Sequence, residues 1–123
     1  MSRMQKEIME CLSGLETAPN ELSARFSFPP EFAGFQGHFE DNPVLPGICK
    51  ILAVLAMFGK YQDRPFRLRE VGQAKYFMPV TVGQEITIKC DSQPNDDGSI
   101  AVKAVIRKEA AKVALLQMVI ENA

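Results

Sequence analysis

The fold is decided by one apolar stretch, residues 47–59, which reads GICKILAVLAMFG and carries a single charge, at Lys50. Its length, with Pro46 ahead of the first turn and Gly59 near the end, favours a helix over a buried parallel strand, the alternative that the same run allows. A helix that is apolar on nearly every side must be surrounded by other elements. We therefore predict a long central α-helix over residues 46–60.

Alternating runs follow this helix and predict antiparallel strands over residues 66–120. The clearest alternation, residues 84–90, predicts a strand with one buried face and one face exposed to solvent. The sequence NDDG at 95–98 predicts a turn into a second strand. The last apolar run, residues 113–120, is typical of a strand covered on both faces. We expect a tight hairpin before it, with a short helical turn over residues 109–112 as the alternative.

The chain ahead of the helix is less regular. Apolar residues three and four positions apart predict an amphipathic helix within residues 1–15, and residues 24–28 alternate as a short strand does. Residues 32–46 are dense in glycine and proline, which suits a shaped loop. The sum is a single α+β domain over residues 1–123, an antiparallel sheet wrapped around the central helix.

Composition excludes several classes of function. The formal net charge of −1 and the pI near 5.8 give no electrostatic footprint for nucleic acid. The apolar stretches are shorter than the roughly 20 residues that cross a bilayer, and no secretory signal is recognisable, so we expect no membrane insertion and a cytoplasmic location. Three cysteines without CxxC spacing and a single histidine predict neither disulfides nor a metal site, and no cofactor is indicated.

The chemistry concentrates around His38, which lies just before the loop that leads into the central helix. A histidine titrates near neutrality and can exchange a proton, while a helix N-terminus offers free N–H groups and a partial positive charge. Together they suit removal of a proton next to a carbonyl group, with the N–H of Gly47 holding the oxygen. The alternative is a hydrogen-bonded structural histidine, with glycine and proline serving only the turn.

Two segments shift the balance between these readings. Residues 37–47 read GHFEDNPVLPG and closely resemble the GHFxxxPVxPG signature of the β-hydroxyacyl-acyl-carrier-protein dehydratases, the hotdog-fold enzymes of fatty-acid synthesis. Residues 74–84 read AKYFMPVTVGQ and resemble the AKFxxPVxxGD segment of the same family. The resemblance implies a hotdog fold and a lyase that acts on acyl thioesters of acyl carrier protein or of CoA.

The resemblance also assigns roles to individual residues. It implies that His38 is the catalytic base or proton shuttle and that the Gly47 N–H contacts the thioester carbonyl. It implies an acyl tunnel beside the central helix, with Phe39, Leu45 and Leu52 as candidate lining, and a homodimer or higher homo-oligomer whose active sites lie between subunits. No cofactor or metal belongs to this chemistry.

The sequence departs from the family pattern where an acid is needed. The family carries Glu or Asp five residues past the last motif glycine, but this chain has Leu52 there and no acidic residue from Asn42 to Gln62. Loss of a general acid removes a contribution of about 10²–10⁴-fold. Asp41 is a candidate substitute, although a loop carboxylate is more often simply solvated. An acyl thioesterase and a non-catalytic acyl-carrier-binding or partner hotdog subunit therefore remain alternatives to a dehydratase.

Overall fold

The computed structural model of the chain describes residues 2–36 and 43–123. Within these ranges, six strands form one antiparallel sheet in the order β1-β2-β4-β5-β6-β3. The elements follow one another as α1 (Arg3–Cys11), β1 (Leu12–Ala18), β2 (Glu21–Ser27), a short 3₁₀ helix (Ala33–Phe35), α2 (Gly47–Gln62), β3 (Phe66–Tyr76), β4 (Glu85–Pro94), β5 (Ile100–Lys108) and β6 (Ala111–Asn122).

The predicted N-terminal helix over residues 1–15 is wrong beyond Cys11. The chain leaves the helix at Leu12, which pairs with Phe26 as the first residue of β1. A register shift follows, with Gly14 at a φ of +61°, a left-handed conformation that glycine adopts at no steric cost. This bulge separates the apolar residues Leu12 and Leu15 by three positions, which imitates the period of a helix.

Helix α2 runs from Gly47 to Gln62, slightly later at both ends than the predicted residues 46–60. It continues past Gly59 and ends where Asp63 adopts a left-handed conformation, with a φ of +54°. Its buried residues include Val54 and Met57, both fully buried in the core that also takes in α1 and the inner sheet face. In the described part of the chain, no helix is long and apolar enough to cross a membrane.

The predicted hairpin between β4 and β5 is confirmed. Ile86, Ile88 and Cys90 are fully buried, while the alternate residues of β4 around them are exposed. The two strands pair from Thr87 opposite Arg107 to Pro94 opposite Ile100. One face of this hairpin therefore supplies the core, as the alternation indicated.

The last hairpin is also as tight as expected. Lys108 pairs with Ala111, and Glu109 in the turn takes a φ of +56°, so the alternative of a short helical turn is wrong. The expectation that β6 is covered on both faces holds only in part, because Gln117 on its outer face is exposed in the single chain.

Strand β3 forms one end of the sheet and is mostly exposed to solvent. It pairs along one side with β6, from Phe66 opposite Asn122 to Tyr76 opposite Ala114. Most of its side chains are exposed, among them the apolar Val71 and Tyr76. An edge strand with exposed apolar side chains is a surface that natural proteins ordinarily cover.

Candidate functional site

The candidate site is built on the N-terminus of α2. Pro46 takes the capping position in an extended conformation and Gly47 is the first helical residue, and no side chain of the described residues caps the helix. The first N–H groups of a helix have no partner within it, and the aligned peptide dipoles give this end a partial positive charge. Gly47 is half-buried. The geometry therefore offers backbone donors to an oxygen that carries or develops negative charge.

Backbone hydrogen bonds join the two sequence segments that resemble the dehydratase signature. Val44 forms an isolated antiparallel bridge with Thr81, and the N–H of Leu45 donates to the carbonyl of Val80 over 2.8 Å. The segment that enters α2 is thus attached to the segment after β3. Motifs more than thirty positions apart in the sequence meet at one place in the fold.

Tyr76, at the end of β3, packs directly on Gly47. Its hydroxyl donates to the carbonyl oxygen of Gly47 over 3.3 Å. A Cβ atom at position 47 would lie 2.9 Å from Cζ of the Tyr76 ring, closer than two carbon atoms ordinarily approach. Glycine at this position is therefore explained by the neighbouring ring.

Lys50 is a site residue that the sequence did not predict. Its side chain is only 3% exposed, and its Nζ donates to the carbonyl oxygen of Leu45 over 3.3 Å. The same Nζ lies 5.2 Å from the centre of the Tyr76 ring, within range of a cation–π contact. Burial lowers the pKa of Lys50 from its usual value. The only sequence signal was a charge inside an otherwise apolar helix, which ordinarily indicates a solvated position.

The two predicted tunnel residues in the described ranges, Leu45 and Leu52, differ in burial. Leu45 is 2% exposed and belongs to the core. Leu52, where the family has an acid, is half-buried and packs against the edge of the core. One turn before it, Ile48 is 52% exposed, so this face of α2 opens outward in the single chain. His38, Phe39 and Asp41 lie outside the described residues.

The cysteines do not contribute a nucleophile to this region. Cys49 and Cys90 are fully buried, as the sequence predicted, and burial raises their pKa to about 11 and about 12. Desolvation also raises the pKa of the half-buried Cys11 to about 11. A thiol with a raised pKa holds its proton at neutral pH and is a poor nucleophile.

The comparison with protein families decides the relationship. The family model of the ApeI-like proteins, described as ApeI dehydratase, matches residues 15–115. The chain belongs to the ApeI-like dehydratase family. This family's match spans β1 to β6 and includes both segments that meet at the N-terminus of α2.

Curated relatives of the chain include dehydratases. A 3-hydroxyacyl-[acyl-carrier-protein] dehydratase, FabZ, from Neisseria meningitidis is 29% identical over 93 residues, which cover 58% of this chain and 62% of that protein. The chain thus matches less than two thirds of the length of these relatives. FabZ from Neisseria gonorrhoeae matches equally well.

The solved structures establish the fold. The dehydratase heterocomplex ApeI:P from Xenorhabdus doucetiae superimposes with a TM-score of 0.71 at 16% identity, covering 90% of this chain and 96% of that one. An HP0420 homologue from Helicobacter felis gives 0.67 at 12% identity, covering 92% and 88%. The predicted hotdog fold and the resemblance to the dehydratase family are confirmed.

Proposed function

We propose that this chain dehydrates 3-hydroxyacyl thioesters to enoyl thioesters, or hydrates enoyl thioesters in the reverse direction. The observation that carries the proposal is the N-terminus of α2, where Gly47 is the first helical residue, nine positions after His38 in the sequence, and presents backbone N–H donors. Membership of the ApeI-like dehydratase family supplies the class of reaction. Acyl carrier protein or CoA is the proposed carrier of the acyl chain.

Gly47 has the role of holding the thioester carbonyl. The N–H groups of the first turn stabilise the oxygen as it becomes an enolate when the C2 proton leaves. The bonds from Leu45 to Val80 and from Tyr76 to Gly47 hold this helix end in place before substrate arrives. A site that is already arranged loses no free energy to reorganisation during the reaction.

In this proposal a single titratable group both removes and returns the proton. His38 takes the C2 proton, the carbon–carbon double bond forms, and the C3–O bond breaks as His38 returns that proton to the departing hydroxyl, which leaves as water. This shuttle needs no acid at Leu52. Asp41, in the same loop segment as His38, is the candidate if a second acid takes part.

The acyl chain is proposed to lie against α2. In this proposal the sheet wraps around α2 as the central helix of a single hotdog domain over residues 1–123. Leu45 and Leu52 would line the path together with Phe39. Leu45 is buried and Leu52 is half-buried. Apolar lining is what an acyl chain requires, because it gains from leaving water.

Assembly is proposed to proceed through β3. Its free side lies at the end of the sheet, and apolar residues are exposed at Val71, Tyr76 and, just beyond the strand, Phe77. A second copy of the chain that pairs along this edge would satisfy the strand and cover these side chains. We propose a homodimer, or a higher homo-oligomer built from it, with the sites at the junction.

A partner subunit is the second candidate function. Leu52 favours it, because the position that carries an acid in the family cannot donate a proton here. The structural relative from Xenorhabdus doucetiae is described as a heterocomplex. In this alternative the chain pairs with a different hotdog chain that completes the site, and acts alone only as an acyl-carrier-binding protein.

The deciding experiment uses the purified full chain, the His38→Gln variant and the His38→Ala variant. Each is incubated with 3-hydroxyacyl and enoyl thioesters of carrier protein and of CoA, and all products are followed by mass spectrometry. Loss or gain of one water that depends on His38 supports the dehydratase. Release of free carboxylic acid identifies a thioesterase instead, and carrier binding without turnover identifies the partner subunit.

A further inference from the structure

The burial of Lys50 is unfavourable by itself. Its side chain is 3% exposed in the first turn of α2, where the helix dipole already places partial positive charge. Removing an ammonium group from water costs free energy, and the helix end adds repulsion to that cost. An uncharged residue of similar length, such as methionine, would fill the same space without either penalty. Packing alone therefore gives no reason for a lysine here.

Within residues 2–36 and 43–123, the contacts of Lys50 lead to the helix end. Its Nζ donates to the carbonyl of Leu45, two residues before Gly47, and faces the ring of Tyr76, which packs on Gly47. Leu45 is held from its other side by the bond from its N–H to Val80. Lys50 thus joins the backbone that enters α2 to the side chain that covers its first residue.

We propose that Lys50 is a positioning residue for the thioester-binding end of α2. It holds the Leu45 carbonyl and the Tyr76 ring, and through them fixes the direction of the Gly47 N–H. Its charge also adds to the positive potential that the carbonyl oxygen meets as it becomes an enolate. This role rests on the proposed dehydration and goes beyond it, because it assigns a task to a residue on a different face of α2 from Leu52.

The test compares Lys50→Met, which keeps the length but removes the charge and the donor, with Lys50→Arg, which keeps the charge. The matched control is Lys60→Met, the same change at an exposed lysine in the last turn of α2. For each protein, kcat and KM are measured for the dehydration of a 3-hydroxyacyl-CoA, and unfolding in urea is measured separately.

We expect Lys50→Met to lower kcat by about 10- to 100-fold, less than the loss of a direct oxyanion donor, with KM nearly unchanged. Its resistance to urea should equal or exceed that of the wild type, because a buried charge has been removed. Lys50→Arg should retain more kcat than Lys50→Met, and Lys60→Met should leave kcat and KM unchanged. A kcat of Lys50→Met within twofold of wild type, or a loss that follows unfolding, would overturn the proposal.

A wild-type chain that turns over no thioester defeats the proposed function, and the positioning role is then decided by amide hydrogen exchange. If Lys50 holds the Leu45 carbonyl, Lys50→Met should speed exchange at the Leu45 N–H by about tenfold or more, while amides of β4 and β5 keep their protection. Unchanged protection at Leu45 would show that Lys50 positions nothing.

Discussion

The hydroxyl of Tyr76 donates to the carbonyl of Gly47, so the last residue of β3 contacts the first residue of α2. This contact unites the two segments that carry the family signature. It also makes position 47 sensitive to any added side chain, since the Tyr76 ring occupies the space next to its Cα.

Gly47→Ala should lower turnover strongly and stability mildly. The added Cβ meets the Tyr76 ring, and because that ring is 46% exposed and can move, we expect a cost of about 1 kcal/mol, at the low end for overpacking. When Tyr76 is already replaced by alanine, adding Gly47→Ala should cost no further stability, because the ring that its Cβ meets is gone. Turnover should stay low in this double variant. Urea unfolding and product formation measure both, and a fully active Gly47→Ala would refute the role given to this glycine.

Leu52→Glu should raise turnover if the missing acid limits the chain's activity. A glutamate at this half-buried position can donate a proton to the departing hydroxyl, a contribution of about 10²–10⁴-fold where geometry is good. Leu52→Gln has nearly the same shape and polarity but no acidic proton, so it serves as the control. Equal rates for the two variants would mean that the acid is supplied elsewhere or is not needed.

Val71→Lys should weaken self-association. Val71 is 41% exposed on β3. When two β3 edges pair, a lysine at this position would either be buried with its charge or lie near the same lysine of the second copy and repel it. Thr17→Lys places the same charge on the exposed edge strand β1, at the opposite end of the sheet. Sedimentation velocity should show a dimer for wild type and Thr17→Lys and a smaller species for Val71→Lys. A dimer in all three would place the interface elsewhere.

Alkaline pH should destabilise the chain through its buried thiols. The pKa of Cys90 is raised from 9.0 to about 12 in the folded state, so folding favours the protonated thiol. The resulting stability is present below pH 9 and is lost as pH rises toward 12. The urea midpoint should therefore fall between pH 9 and 11 more steeply in wild type than in Cys90→Ala. Parallel profiles would show that this thiol ionises as freely in the folded chain as in the unfolded one.

The sequence predicted the elements whose pattern is local. The alternation in β4 and β5 and the apolar run of α2 each carry their own period, and the structure follows both. The bulge at Gly14 was missed because one extra residue in a strand sets the apolar residues on its two sides three positions apart instead of two. Local period alone cannot separate that strand from a helix.

The sequence predicts Gly47 both from its place at the start of the helix and from the signature, and its binding role stays a prediction. The contact between Lys50 and Tyr76 depends on the pairing of β3 with β6 and on the packing of α2, which a local pattern does not show. A lysine in a helix ordinarily indicates a position exposed to solvent. Its burial depends on neighbours that are distant in sequence.

The pairing of β3 with β6 also sets an order of events during synthesis. Strand β3 follows α2 closely in the chain, but its partner strand spans residues 111–122. Phe66 therefore cannot pair with Asn122 until the last strand has been synthesised. A ribosome therefore releases α2, β4 and β5 before Tyr76 can be fixed against Gly47. Closing a long loop is slow, and the nascent chain exposes the unpaired strand β3 throughout that interval. The helix end that is proposed to bind substrate is thus among the last parts of the molecule to mature.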